Sequence, residues 1–122
     1  MKIYKCNICG QIISKVKETP VPVMCCGQPM KQLVAGEVDA SHEKHVPVYT
    51  VSSNKVEVVV GSTIHPMTQE HYIEWISIET NIGYQIRHLL PTSVPQATFY
   101  LSDNEKVLNV YAYCNLHGLW KA

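Results

Sequence analysis

The sequence predicts a mainly β protein in two unequal parts: a small N-terminal segment stapled by a metal ion, then a larger antiparallel sandwich or barrel. Three observations carry this expectation. Four of the five cysteines lie within the first 26 residues. Beyond residue 36, short runs of β-branched and aromatic residues alternate with clusters of turn-forming residues. No stretch of the 122 residues shows a convincing helical period.

Residues 1–36 hold the clustered cysteines and three of the seven prolines, with too little apolar content for a packed core. Such a segment needs a staple, and a metal is the obvious one. Residues 37–122 form the second part. Val46 to Val51 and Lys55 to Val60 are strand candidates, separated by the turn signal Ser52-Ser-Asn54. Tyr72 to Glu79 follows with partial alternation, then Gly83 to Leu90, Ala97 to Leu101 and Lys106 to Tyr113. Asn81-Ile-Gly83, Pro91 to Pro95 and Ser102-Asp-Asn104 punctuate these runs. Six or more short strands of this kind suit an antiparallel sandwich or barrel.

Composition narrows the function classes. Hydrophobic residues make up 46% and charged residues 16%, as expected of a soluble globular chain with a real core. Ten basic residues balance ten acidic ones, so net charge argues for neither a nucleic-acid nor a membrane partner. The longest apolar runs are strand-sized, too short to span a bilayer. The opening Met-Lys-Ile-Tyr-Lys-Cys has no run of signal-peptide length, and the expectation is a cytoplasmic protein. In a reducing compartment thiols serve metals or catalysis more often than disulfides.

Cys6-Asn-Ile-Cys9 is a Cys-x-x-Cys knuckle, and Cys25-Cys26-Gly27 follows it after fifteen intervening residues. Four thiolates at this spacing can wrap one tetrahedral ion. Side chains of neighbouring residues in an extended chain point to opposite faces. For Cys25 and Cys26 to grip one ion the backbone must turn there, and Gly27 helps to permit the turn. A distorted tetrahedron is expected. The pattern points to a metal without saying which, and a structural zinc site shares the layout. A redox disulfide between Cys6 and Cys9 would want a surrounding βαβ pattern, which is absent.

A second group of candidate ligands lies downstream. His45 sits in Glu43-Lys-His-Val-Pro47 at the start of a predicted strand. His65 and His71 bracket the loop His65-Pro-Met-Thr-Gln-Glu-His71, and His117 closes Cys114-Asn-Leu-His117. Cys-x-x-His is a short clamp that puts a thiolate and an imidazole on one ion. In a sandwich, loops gather at the ends of the sheets, so the 65–71 and 114–117 loops can meet. Imidazole plus thiolate suits copper, zinc, iron or nickel rather than calcium or magnesium. A cupredoxin-type electron carrier would need a weak axial Met, and no Met follows His117. A zinc-stapled binding module without chemistry is the other alternative.

Taken in order, Cys6-x-x-Cys9, Cys25-Cys26, Glu43-Lys-His-Val-Pro47, His65-Pro-Met67, His71-Tyr-Ile-Glu-Trp75 and Cys114-Asn-Leu-His-Gly118 resemble desulfoferrodoxin, the two-iron superoxide reductase family. The resemblance covers nearly the whole chain, with no departure at a ligand position. It implies a desulforedoxin-like (rubredoxin-like) N-terminal domain over residues 1–36, with iron held by Cys6, Cys9, Cys25 and Cys26. It implies an immunoglobulin-like β-sandwich over residues 37–122, with a second iron held by His45, His65, His71 and His117 in a plane and by Cys114 axially. It further implies that Glu43 caps the open position in the oxidised resting state and that Lys44 sits near it. His42 and His88 fall outside every ligand motif and are read as surface residues. Trp75 and Trp120 are expected to pack the core or shield the site, and Met67 to pack.

The implied reaction is reduction of superoxide to hydrogen peroxide, taking one electron and two protons. Neutral imidazoles bind without cancelling the metal's charge, and a thiolate opposite the vacancy pushes electron density toward iron, as in haem enzymes with axial thiolate. Lys44 would draw in the anion and order a proton-donating water. A rubredoxin-like donor would return the electron, and relatives form homodimers. A superoxide dismutase, which would also oxidise superoxide, is the nearest competing reaction.

Overall fold

The computed structural model describes all 122 residues and divides into two compact units, Met1–Val34 and Ala35–Ala122. In the first unit, β1 (Ile3–Lys5), β2 (Ile12–Ser14) and β5 (Lys31–Gln32) form a small antiparallel sheet in the order β2-β1-β5. Between β2 and β5 a second hairpin joins β3 (Met24–Cys25) to β4 (Gln28–Pro29), with Cys25 opposite Gln28. Its two central residues, Cys26 and Gly27, have φ of 51° and 75°, the signs of a type I′ turn. Ile3, Cys6 and Met30 are the unit's buried hydrophobic residues. So small an apolar cluster cannot order a chain segment of this length without a cross-link or a metal.

The second unit is a β-sandwich. One sheet has the order β10-β7-β6, from β10 (Gln96–Tyr100), β7 (Lys55–Val60) and β6 (Pro47–Ser52). The other has the order β12-β11-β8-β9, from β12 (Gly118–Lys121), β11 (Val107–Cys114), β8 (Ile73–Thr80) and β9 (Gly83–His88). All pairings are antiparallel. Val56, Val58 and Val60 of β7 alternate with the outward Glu57 and half-buried Val59, the period of a strand with one face in the core. Ile76 and Ile78 of β8, Phe99 of β10, and Val110 and Ala112 of β11 complete the same hydrophobic cluster. The Cys114 side chain belongs to it too and is fully buried.

This mainly β architecture, a small four-cysteine unit followed by a sandwich, is the predicted fold class. The six expected strands are all present, with ends shifted by one or two residues. Two elements differ from expectation. His45 does not open a strand: it ends α1 (His42–His45), a one-turn helix, and Pro47 opens the strand two residues later. A single turn is too short to leave a 3.6-residue pattern in the sequence. β12 was not expected, because four residues at the end of the chain carry little alternation.

Helix α1 lies very close to the loop after β7. The Thr63 backbone N–H and the Ser62 hydroxyl both donate to the Glu43 carbonyl, at 2.8 Å and 3.3 Å. Gly61 makes the approach possible: a Cβ there would lie 2.6 Å from the Glu43 carbonyl oxygen and 2.9 Å from that of Val46. Both obstacles are backbone and cannot rotate away. Gly61→Ala is therefore expected to destabilise the sandwich by about 1–3 kcal/mol and to displace α1. Denaturation midpoints and metal content would check this; an unchanged value of both would show that the helix is not held by this contact.

Candidate metal centres

In the first unit the ligand atoms of Cys6, Cys9, Cys25 and Cys26 lie within 4.8 Å of one another. The knuckle explains the first pair. The Gly10 N–H donates to the Cys6 carbonyl at 2.9 Å, and the Cys9 N–H points at Cys6 Sγ at 3.5 Å. The I′ turn explains the second. Cys26 adopts the left-handed conformation that non-glycine residues rarely take, and this brings its side chain round beside that of Cys25. The backbone N–H groups of Cys9 and Ile8 draw the Cys6 thiol down to about 6. The neighbouring sulfurs of Cys9 and Cys6 push Cys25 up to about 12. Four crowded sulfurs cannot all ionise unaided; a cation among them removes that conflict.

In the second unit the ligand atoms of His45, His65, His71 and Cys114 also lie within 4.8 Å of one another. His117 joins them: its Nδ1 is 3.0 Å from His45 Nε2 and 3.8 Å from Cys114 Sγ. The four imidazoles close a ring in the order 45, 65, 71, 117. Neighbouring centroids are 4.7, 4.6, 5.0 and 4.8 Å apart, and the 45–71 diagonal is 6.3 Å.

The tautomers follow from the outer hydrogen bonds. His45 Nδ1–H donates to the Ser41 carbonyl at 2.7 Å, and His65 Nδ1–H donates to the Pro66 carbonyl at 2.6 Å. Both Nε2 atoms then carry lone pairs, yet they face each other at 3.2 Å. Two acceptors this close cannot bond to each other. Separations of 3.0–3.2 Å are those of adjacent donors about an ion bound at ~2.1 Å. His71 Nε2 is buried without a hydrogen-bond partner, as a ligand nitrogen awaiting a metal would be. Burial holds His45 and His71 below their usual range and His65 at about 4, so these imidazoles are neutral and can bind a metal. Burial pushes the Cys114 thiol up, and the backbone N–H groups of Leu116 and His117 pull it back.

Trp120 is almost fully buried, stacks on the His45 ring at 4.9 Å with a tilt of 30° and donates Nε1–H to the His117 carbonyl at 3.1 Å. It shields the site, whereas Trp75 stacks on Tyr113 at 5.4 Å. Met67 packs against the core, its sulfur accepting the Ile73 N–H at 3.4 Å. His42 and His88 are not buried, although His42 meets the edge of Trp120. Glu43 and Lys44 are exposed on α1, directly ahead of His45. The backbone N–H of Glu43 itself holds its carboxyl below the usual range. Sequence reasoning missed the Ser41 and Pro66 carbonyls and Gly61, which carry no signature of their own, and the side chain of Asn115, which lay unremarked inside the Cys114-x-x-His117 motif.

Fold and donors together define a β-sandwich metalloprotein with two mononuclear centres, one of four thiolates and one of imidazoles with a single thiolate. The desulfoferrodoxin family profile matches residues 37–122, and that of the desulfoferrodoxin N-terminal domain matches residues 1–33. A desulfoferrodoxin homolog of Archaeoglobus fulgidus is 42% identical over 122 residues, covering 100% of this chain and 96% of the relative. The desulfoferrodoxin of Nitratidesulfovibrio vulgaris is 41% identical, covering 99% and 94%. The crystal structure of the superoxide reductase from Treponema pallidum matches with a TM-score of 0.83 at 36% identity, covering 99% of this chain and 97% of that one. The chain belongs to the desulfoferrodoxin family. Its two donor sets fit that family's two iron centres.

If the thiolate centre is what orders the first unit, the double variant Cys6→Ala/Cys9→Ala should lose one iron. Amide protection in β1, β2 and β5 should fall by about tenfold or more, while β7, β8 and β11 stay protected. Hydrogen exchange with metal analysis checks this; retained protection in β1 would mean that the hairpins order themselves.

Proposed function

We propose that the protein is a superoxide reductase, an oxidoreductase that converts superoxide to hydrogen peroxide with one electron from an external donor and two protons. The observation that carries the reading is the ring of four imidazoles beside the buried Cys114 thiol, supported by the likeness to the Treponema pallidum superoxide reductase. His45, His65, His71, His117 and Cys114 hold the reactive iron, within a catalytic domain over 37–122. Cys6, Cys9, Cys25 and Cys26 hold the other, within a domain over 1–36. When bound, ferrous iron supplies the electron and an open position for the anion.

The remaining chemistry belongs to side chains. With a divalent iron bound, four imidazole donors and one thiolate would leave the site with a net positive charge, which favours an anionic substrate. The Cys114 sulfur is buried and faces the backbone N–H groups of Leu116 and His117; as a thiolate it would direct electron density to a bound iron. Lys44 acts outside the donor ring. Residues 35–122 carry five basic side chains against nine acidic ones, so a cation beside the site matters for steering. Its Nζ draws superoxide in and orders the water that delivers a proton. Glu43, exposed on α1 ahead of His45, would help product to leave and would supply a carboxylate to the site once the iron is oxidised. A rubredoxin-like protein returns the electron. The protein works as a homodimer in the cytoplasm; no helix is long and apolar enough to cross a membrane.

A pulse of superoxide onto the ferrous protein is expected to give peroxide without matching oxygen evolution. Oxygen released in proportion would mark a dismutase instead. Lys44→Ala should slow the reaction by about tenfold at low salt and flatten its dependence on ionic strength. A rate equal to that of the unaltered protein at every salt concentration would remove the steering role.

A further inference from the structure

Two of the four imidazoles, His71 and His117, have no carbonyl hydrogen-bonded to the ring. His45 and His65 each have a carbonyl fixing Nδ1, whereas no side-chain hydrogen bond fixes the His71 ring. Its aim is set by its backbone. On one side Thr68 holds that backbone: the His71 N–H donates to Thr68 Oγ1 at 3.1 Å and the Thr68 N–H donates to the His71 carbonyl at 2.9 Å. On the other side stands Asn115. Its Oδ1 accepts the Tyr72 N–H at 3.0 Å, its Nδ2 donates to the Glu70 carbonyl at 2.9 Å, and its own N–H donates to the Tyr72 carbonyl at 3.2 Å. One side chain thus grips the residues immediately before and after His71.

Asn115 also follows Cys114 directly, at a break in the β8–β11 ladder. Tyr113 pairs with Trp75 and Cys114 with Ile73, so Glu74 is skipped. Bulges of this kind re-aim side chains next to active sites. Past the bulge, regular pairing ends, and the Asn115 amide supplies hydrogen bonds that a ladder would otherwise make.

We propose that Asn115 is a positioning residue that fixes the Cys114 sulfur and the His71 imidazole relative to each other. The inference rests on reading the histidine–cysteine cluster as the reactive iron centre. The chemistry selects this residue type. The task needs a donor and an acceptor on one planar head, one methylene from the backbone. Aspartate keeps the shape and the acceptor but sets an oxygen against the Glu70 carbonyl and puts a charge near the Cys114 sulfur, where Oδ1 now stands at 4.0 Å.

The test uses the full chain loaded with both irons. Asn115→Asp is expected to weaken iron binding at the histidine–cysteine centre by about 10–100-fold, read as loss of one iron to a chelator while the four-thiolate iron stays. The thiolate-to-iron absorption band of that centre should shift and its midpoint potential should fall. Asn109→Ala serves as the control: it removes a 2.7 Å bond to Glu79 near the far end of β11, and should lower thermal stability while moving neither iron affinity nor the band. An Asn115→Asp protein with unaltered affinity and band overturns the proposal. So does an Asn115→Asp protein that fails to fold, or an Asn109→Ala protein that shifts both, since either result makes the effect merely structural. None of these readouts uses superoxide, so a failure of the proposed reaction is seen separately, in the pulse experiment on the unaltered protein.

Discussion

The second unit is organised around an electrostatic conflict that its own side chains cannot resolve. His45 Nε2 and His65 Nε2 lie 3.2 Å apart, and both carry lone pairs fixed by hydrogen bonds on the far sides of their rings. Lone pairs facing one another in a dry place are costly, and protonating the rings is opposed by the same burial. A cation at the centre of the ring removes both costs. The surroundings act to prevent the other escape, in which the rings swing apart: Trp120 lies on His45, the Ser41 and Pro66 carbonyls hold two rings from behind, and Thr68 and Asn115 hold the backbone of a third.

This rigidity comes from the sandwich. β7 and β8 are core strands of opposite sheets, and the loop that joins them carries His65 and His71. β11 ends in Cys114, whose side chain belongs to the hydrophobic core, so the thiol is fixed as firmly as the valines and isoleucines around it. Helix α1 contributes His45 through backbone contacts that only Gly61 permits. The donors therefore come from three separate places in the chain, each tied to an element that would be rigid without the metal. The first unit works in the opposite sense. Its hairpins bury little, and the four sulfurs with an ion among them take the place of a core.

What the sequence made legible follows from this contrast. Residue types with strong chemistry were readable at a distance: a Cys-x-x-Cys knuckle, adjacent cysteines before a glycine, and a Cys-x-x-His clamp each restrict what can bind. The alternation of Val56, Val58 and Val60 announced a strand with one face in the core. The turn at Cys26 was foreseen because two neighbouring side chains cannot otherwise reach one ion. The helix at His42–His45 was not foreseen, since one turn has no period to detect and the following Pro47 and Val48 look like a strand. Ser41, Pro66 and Gly61 were invisible for a different reason. They act through a backbone carbonyl or through the lack of a side chain, and neither leaves a mark on residue type.

Asn115 lies between these cases. Its side chain has chemistry, but its position inside a ligand motif drew attention to the flanking Cys114 and His117 instead. A motif of the form Cys-x-x-His treats the intervening residues as spacers. Here the spacer carries three hydrogen bonds to the neighbours of another ligand, in a part of the sequence more than forty residues away. The two ligand loops meet at the end of the sandwich because strands β8 and β11 are paired. Whether they meet in register for one ion depends on the bulge at Cys114 and on the amide that follows it. A site assembled from distant loops needs such a part, because sheet packing fixes strands to within a side chain's width, whereas metal–ligand bonds tolerate errors of only about 0.2 Å.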